Sequence, residues 1–300
     1  MEFGRVSTPE LETIDFTLPP DPAITKKVLV KKAPDKDFQA WVGCAKWGRK
    51  EWVGQIYPPK TKDAQFLDEY VKQFNCIELN AVFYMMPKKE QVAAWRKKAE
   101  AEGRPFKFCP KITQNISHRA RLKNAEELTT AYLESITEFG DCLGPVFLQL
   151  SDNFGPKNID TLREYLAAFP KDVPLFTELR HKEWYADEKV REEVFSMFHE
   201  LNIGSIITDA AGRRDCVHMH LSTPDAFIRF VGNSLHTSDY SRIDEWVARL
   251  KKWKSEGLKS FWFFMHQHDE RYSPKLADYL IRELNDKLDL SIPELTFLDE

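Results

Sequence analysis

No apolar run in the 300 residues comes near the roughly 20 needed to cross a bilayer, which excludes a membrane-spanning helix. The first thirty-odd residues carry Glu2, Glu10, Glu12, Asp15 and Asp21 where a signal peptide would need a sustained apolar stretch. Cysteine is scarce: the five thiols, at 44, 76, 109, 142 and 216, show no C-x-x-C spacing, and an odd number cannot all pair. They read as small buried hydrophobes in a reducing compartment, so the expected address is cytoplasmic. Also missing are a G-x-G-x-x-G or Walker glycine loop, a G-x-S-x-G nucleophile turn, and H-E-x-x-H. Charge of one sign is lacking too. With 43 basic against 47 acidic residues the formal net charge is −4, which argues against nucleic acid and anionic membrane as partners.

What is present is enough apolar material for a sizeable core, 42% hydrophobic with 13% aromatic. From residue 38 onward, short apolar runs alternate with amphipathic helical stretches. Strands are expected at 40–44, 76–80, 106–110, 146–150, 174–178, 204–208, 227–231 and 259–264. Helices are expected between them, among them 63–74, 88–101, 125–142, 187–201, 244–254 and 274–288. Eight such units over about 250 residues match a single α/β domain of the (β/α)8 TIM-type barrel, which places the barrel at 37–290. Residues 1–36, punctuated by Pro19, Pro20, Pro22 and Pro34, read as an N-terminal arm, packed along the barrel or partly disordered. Residues 291–300 form a tail.

In such a barrel, function sits where strands end. The apolar run at 174–178 breaks into Glu178, Arg180 and His181. Glu178 and Arg180, at i and i+2, face the same way on an extended strand, either as a self-neutralising ion pair or as part of a site. Other strand ends supply Glu78 and Asn80, Lys111, Gln149, Asp209, Arg229, and His266 with Gln267 and His268. Core positions should be apolar, so polar groups at so many strand ends point to a pocket at one mouth.

The same residues resemble the YecE-like family of barrels, domain-of-unknown-function family 72. The matching pieces are Gly43 and Trp47 with Ile56-Tyr57-Pro58, Ile77-Glu78-Leu79-Asn80 with Phe83-Tyr84 and Pro87, and Phe106-Lys107-Phe108 with Lys111 and His118. Further on come Gly144-Pro145, Leu148-Gln149-Leu150, Glu178-Leu179-Arg180 with Trp184, Asp209, and Ile228-Arg229-Phe230 with Gly232 and Tyr240. This resemblance covers residues 38–285 and implies a TIM-type barrel, a bacterial or archaeal source and an activity not yet assigned. The chain departs from the family pattern twice. It has Ser117-His118 where the pattern has Thr-His, and Met265-His266 where an asparagine pair is common.

Three uses of these groups remain open. In the preferred one, Glu78, Glu178, Asp209 and His118 perform acid/base chemistry on a small anionic or carbohydrate-like substrate, as a hydrolase or isomerase would. Asn80, Tyr84, Lys111, Gln149, Arg180, Trp184, Arg229 and Tyr240 then bind it, the arginines gripping phosphate or carboxylate as a fork. A second use is a divalent metal held by Glu178, Asp209, His118, His181, His266 or the pair His218 and His220, although no cofactor motif is evident. A third is a barrel that binds a ligand or nucleotide without turnover. Oligomeric state is not legible.

Overall fold

Phe227 and Arg229 face one side of their strand while Ile228 and Phe230 face the other, and the same two-residue alternation in seven neighbours sorts the apolar side chains into two cores. The computed structural model describes residues 3–30 and 37–298. Its strands are β1 (Gln39–Cys44), β2 (Cys76–Leu79), β3 (Lys107–Pro110), β4 (Val146–Gln149), β5 (Leu175–Glu178), β6 (Gly204–Asp209), β7 (Asp225–Gly232) and β8 (Ser260–Gln267). All ladders are parallel, in the order β3-β2-β1-β8-β7-β6-β5-β4. The remaining seam, β3 to β4, closes through short contacts, Ile112 N–H donating to Phe147 O and Gly144 N–H to Phe108 O, each 2.8 Å. The protein is therefore an α/β TIM-type barrel, nearly closed by hydrogen bonds.

The larger core lies between the strands' outer faces and the helices. A smaller, separate one plugs the barrel: Trp41, Cys76, Cys109, Phe147, Phe176, Ile206, Phe227, Trp262 and Phe264. Trp41 and Trp262 stack with ring centres 5.1 Å apart. Burying each large apolar side chain contributes about 1.5–3 kcal/mol. Gly43 is dictated by the closeness of β1 to β2, since a Cβ there would lie 2.0 Å from Cys76 O. The described cysteines are all free and buried.

Two elements exceed the sequence expectation. Strand β8 runs three residues further than the apolar run, to Gln267, which places His266 within the sheet. The helix expected at 244–254 is Thr237–Glu256. Its extra N-terminal turns rest on the Asp239 carboxylate, which receives the backbone N–H groups of Asn233 and Leu235.

Of the N-terminal arm, residues 1–2 and 31–36 lie outside the described residues, as do 299–300 of the tail. The rest of the arm follows the barrel wall through two short helices, Thr8–Leu11 and Ala23–Val28. Leu18 and Leu29 join the larger core. Asp21 accepts from Arg249 Nη1 (2.7 Å), from Trp253 Nε1 (3.1 Å) and from Lys252. Thr25 Oγ1 donates to Met219 O and accepts from Leu221 N–H, both at 2.8 Å. Among the described residues, no helix is long and apolar enough to cross a membrane.

Candidate functional site

Two residues beyond the hydrophobic plug, on the same inward faces, stand Glu78, Lys111, Gln149, Glu178, Thr208, Arg229 and His266. Strand periodicity alone produces this layer. Cys76 is followed by Glu78, Cys109 by Lys111, Phe147 by Gln149, Phe176 by Glu178, Ile206 by Thr208, Phe227 by Arg229 and Phe264 by His266.

Arg229 is the centre of the layer. Its Nε and Nη2 donate to the two oxygens of Glu78, both at 2.8 Å, in a bidentate fork. Its Nη1 reaches Glu178 Oε1 at 3.0 Å and Oε2 at 2.8 Å. Glu78 further accepts from Asn80 Nδ2 (2.7 Å) and His266 Nε2 (3.1 Å). Glu178 further accepts from Thr208 Oγ1 and from Arg180 Nη2 (3.2 Å). Burial pushes both carboxyls up, but the guanidinium charges outweigh it. Arg180 and Arg229 hold Glu178 down at about 2, and Arg229 with His266 holds Glu78 well below the carboxylate range. The same carboxylates keep Arg229 charged despite its burial.

Lys111 is placed differently. It is 7% exposed. Its Nζ donates to Gln149 Oε1 at 3.0 Å and lies 4.0 Å from the centre of the Phe83 ring. Among the described residues it has no carboxylate within 4.0 Å. Burial, then the nearby Arg229 charge, pushes the amine down to about 7. Arg180 Nη2 shares the Gln149 oxygen, also at 3.0 Å; its buried Nε makes no hydrogen bond, and among the described residues Nη1 has no acceptor. Phe3 of the arm lies across the Arg180 guanidinium, 3.6 Å from carbon to ring centre.

Above the layer opens a cleft of about 650 Å³ lined by Ala45, Lys46, Arg49, Asn80, Ala81, Tyr84, Lys111, Gln149, Arg180, Arg229, His266 and Glu270. It lies over β1, where Gly43 and Ala45 contribute almost no side chain. Arg49 and Glu270 pair across it at 3.2 Å.

Compared with known proteins, residues 41–296 match the family model described as "Protein of unknown function DUF72". The chain belongs to the DUF72 family. It is 27% identical to the UPF0759 protein YecE of Escherichia coli K12 over 266 residues, covering 83% of this chain and 93% of that one. The UPF0759 protein YunF of Bacillus subtilis is also 27% identical, over 154 residues, 49% of this chain and 52% of that one. The crystal structure of a DUF72 family protein from Enterococcus faecalis V583 superposes with a TM-score of 0.61 at 20% identity, covering 85% of this chain and 99% of that chain, a likeness of fold.

Within this DUF72 barrel, Asn80, Tyr84, Lys111, Gln149, Arg180 and Arg229 meet at the cleft, with Glu78 and Glu178 beneath it. His118 sits beside the cleft rather than in its wall, on a single π-type turn, Asn115–Arg119. It bonds Ser117 Oγ at 2.9 Å and packs edge-on against Phe83, and burial followed by the Lys111 charge lowers its pKa. Three expected residues are elsewhere. Asp209 follows the inward-facing Thr208 and therefore points outward, where it accepts from Arg242 Nη2 and Trp246 Nε1 (both 2.8 Å) and from Arg214. Trp184 is fully buried, its Nε1 bonded to Phe154 O at 2.7 Å, and Tyr240 packs against Tyr279 on the outer helices. Sequence reasoning missed Arg49 and Glu270: Arg49 precedes the short 3-10 turn Lys50–Trp52 and Glu270 opens another, Glu270–Tyr272, both too short to show a period.

The metal candidates do not converge either: among the described residues no three of His, Cys, Asp and Glu are grouped to hold an ion. His218 and His220 are packed with Phe195 and Tyr185, and bond Ile206 O and His218 O at 3.0 and 2.6 Å.

Proposed function

We propose that the mouth cleft takes a small organic anion, and that its proton-transfer group is Lys111. The observation carrying this is the buried Lys111 amine, which among the described residues has one side-chain acceptor and no carboxylate partner yet lines an open cleft. A buried ammonium without a counter-charge is unfavourable, and an arriving anion supplies one. Arg180, whose Nη1 has no acceptor among the described residues, and Arg49 line the same cleft.

Glu78 and Glu178 suit a different role from the one expected of a general acid and base. Each oxygen already accepts two donors, and both carboxyls stay ionised at neutral pH, far from the range of an efficient proton carrier. They serve as fixed counter-charges that aim Arg229. An amine near 7 is matched to proton transfer at physiological pH, which supports an enzyme over a passive binding barrel. Tyr84, 71% exposed at the rim, offers a ring face to a sugar-like portion of the ligand.

Thermal unfolding in phosphate, sulfate or pyruvate against chloride, at constant ionic strength, tests the reading. Each anion should raise the Tm of the wild type at pH 6 by a few degrees and do so far less in Lys111→Met. Equal responses in the two proteins, or none in either, would refute it.

A further inference from the structure

Resting on that anion-binding reading, the geometry narrows the chemistry. We propose that Lys111 is a nucleophile that forms an imine with a small carbonyl compound carrying a carboxylate or phosphate, the anionic group being held on the Arg180 side of the cleft.

Four observations support this. First, Lys111 is on a rigid element: it follows β3 directly, and its backbone N–H donates to Leu79 O at 3.2 Å on the neighbouring strand. Secondly, the amine is kept from carboxylates by a neutral amide, Gln149, on one side and an apolar ring, Phe83, on the other. A buried cation with a purely structural role would be expected to carry an ion pair, as Arg242 does with Asp209 at 2.8 Å. Thirdly, the charged groups that face it from other strands are Arg229 and Arg180, set against Glu178 and Glu78, whose negative charge the two arginines already absorb. Such surroundings favour the neutral amine, the form whose lone pair can attack. Fourthly, the cleft supplies a cation, Arg180, whose Nη1 has no acceptor among the described residues, beside the Gln149 oxygen that both side chains share.

The step balances without an oxidant or a metal. The Nζ lone pair forms a bond to the carbonyl carbon, and the C=O π pair moves to oxygen, which takes up a proton. The nitrogen of the resulting carbinolamine gives up a proton, the hydroxyl takes one, the C–O bond breaks as the nitrogen lone pair forms C=N, and water leaves. The net change is amine plus carbonyl plus one proton giving iminium plus water. The iminium then draws electrons from the adjacent carbon, which favours loss of a proton or cleavage of a bond there.

Trapping with cyanoborohydride at pH 7 tests this on the full-length wild-type chain, using pyruvate and dihydroxyacetone phosphate as anionic probes and acetone as the neutral one. Hydride reduces any iminium to a stable secondary amine, which intact mass and peptide mapping then locate. We expect one adduct per chain, on Lys111, formed at least tenfold faster than on any other lysine, faster with the anionic probes than with acetone, and lost in Lys111→Arg. Labelling spread over surface lysines with Lys111 no faster, no adduct with either anionic probe, or equal rates with acetone would each overturn it. The Tm response to inorganic phosphate is read in parallel. Stabilisation by phosphate with no adduct removes the imine and leaves the anion site standing, whereas absence of both removes both. Because the mapping is done on the wild type, the result does not depend on the variant folding.

Discussion

The barrel contains two buried charge clusters, and they are built to opposite ends. Behind the sheet, between β6 and the helix Thr237–Glu256, Asp209 and Asp239 enclose Arg242, whose Nη2 also donates to Asp209 O and Val231 O at 3.0 and 3.1 Å. That cluster has no place in the cleft wall, and its carboxylates are shared among arginines, an indole and backbone N–H groups. At the mouth, Glu78, Glu178, Arg229 and Arg180 form a second such set, but Lys111 is added with no carboxylate of its own among the described residues, and the set opens on a cleft. Both clusters fasten elements together. Of the two, the mouth is the one with a cation, Lys111, left without a carboxylate among the described residues, and the proposed anionic ligand would supply one there.

The largest effects should appear where the two clusters are alike. Glu178→Gln and Asp209→Asn each leave a buried guanidinium short of its partner, so each should lose about 3–5 kcal/mol in urea denaturation. A loss of under about 1 kcal/mol for Glu178→Gln would mean that the mouth carboxylate is dispensable for folding, and the likeness between the clusters would fail.

Where the clusters differ, the sign should reverse. Lys111→Met removes a desolvated amine that lacks its full set of partners, so at pH 6 it should stabilise the protein, by about 1–3 kcal/mol. Arg242→Met should destabilise it. The pH dependence follows from the depressed amine: from about 7 in the folded chain to about 10.4 in the unfolded one, the unfolded state binds the extra proton. Wild-type stability should therefore rise with pH through that window relative to Lys111→Met. On the acid side, Glu178 and Glu78 are depressed, so their contribution is complete above about 4.3 and is lost as pH falls towards the folded value of Glu178, about 2. The smallest effect is expected from Phe3→Ala. It removes one ring from the face of Arg180 and should change stability by about 0.5–2 kcal/mol while altering the anion response at the mouth.

These contrasts also explain what could be read from the sequence. Apolar runs alternating with amphipathic helices carried the barrel, because parallel strands buried on both sides leave that signal. Strand ends carried the site only approximately. Counting inward from the plug in steps of two selects Thr208 over Asp209 and His266 over Gln267, whereas treating every polar residue at a strand end as equivalent does not. Met265-His266, a departure from the family pattern, proves to divide the same way: Met265 joins the outer core and His266 bonds Glu78 at 3.1 Å. Trp184 and Tyr240 illustrate the converse, aromatic residues near a motif that serve packing. Arg49, Glu270 and the arm's reach to Arg180 through Phe3 are set by tertiary contacts between loops, for which a single sequence has no period to detect.

The account turns on Lys111, and its amine can be titrated directly by following the Nζ resonance in protein labelled with nitrogen-15 lysine, assigned through Lys111→Arg. A midpoint near 7 that moves upward when phosphate is added is the predicted result. A midpoint near the ordinary lysine value of about 10.4, or one that phosphate leaves unmoved, would contradict the claim that the mouth holds an uncompensated amine for an anionic ligand.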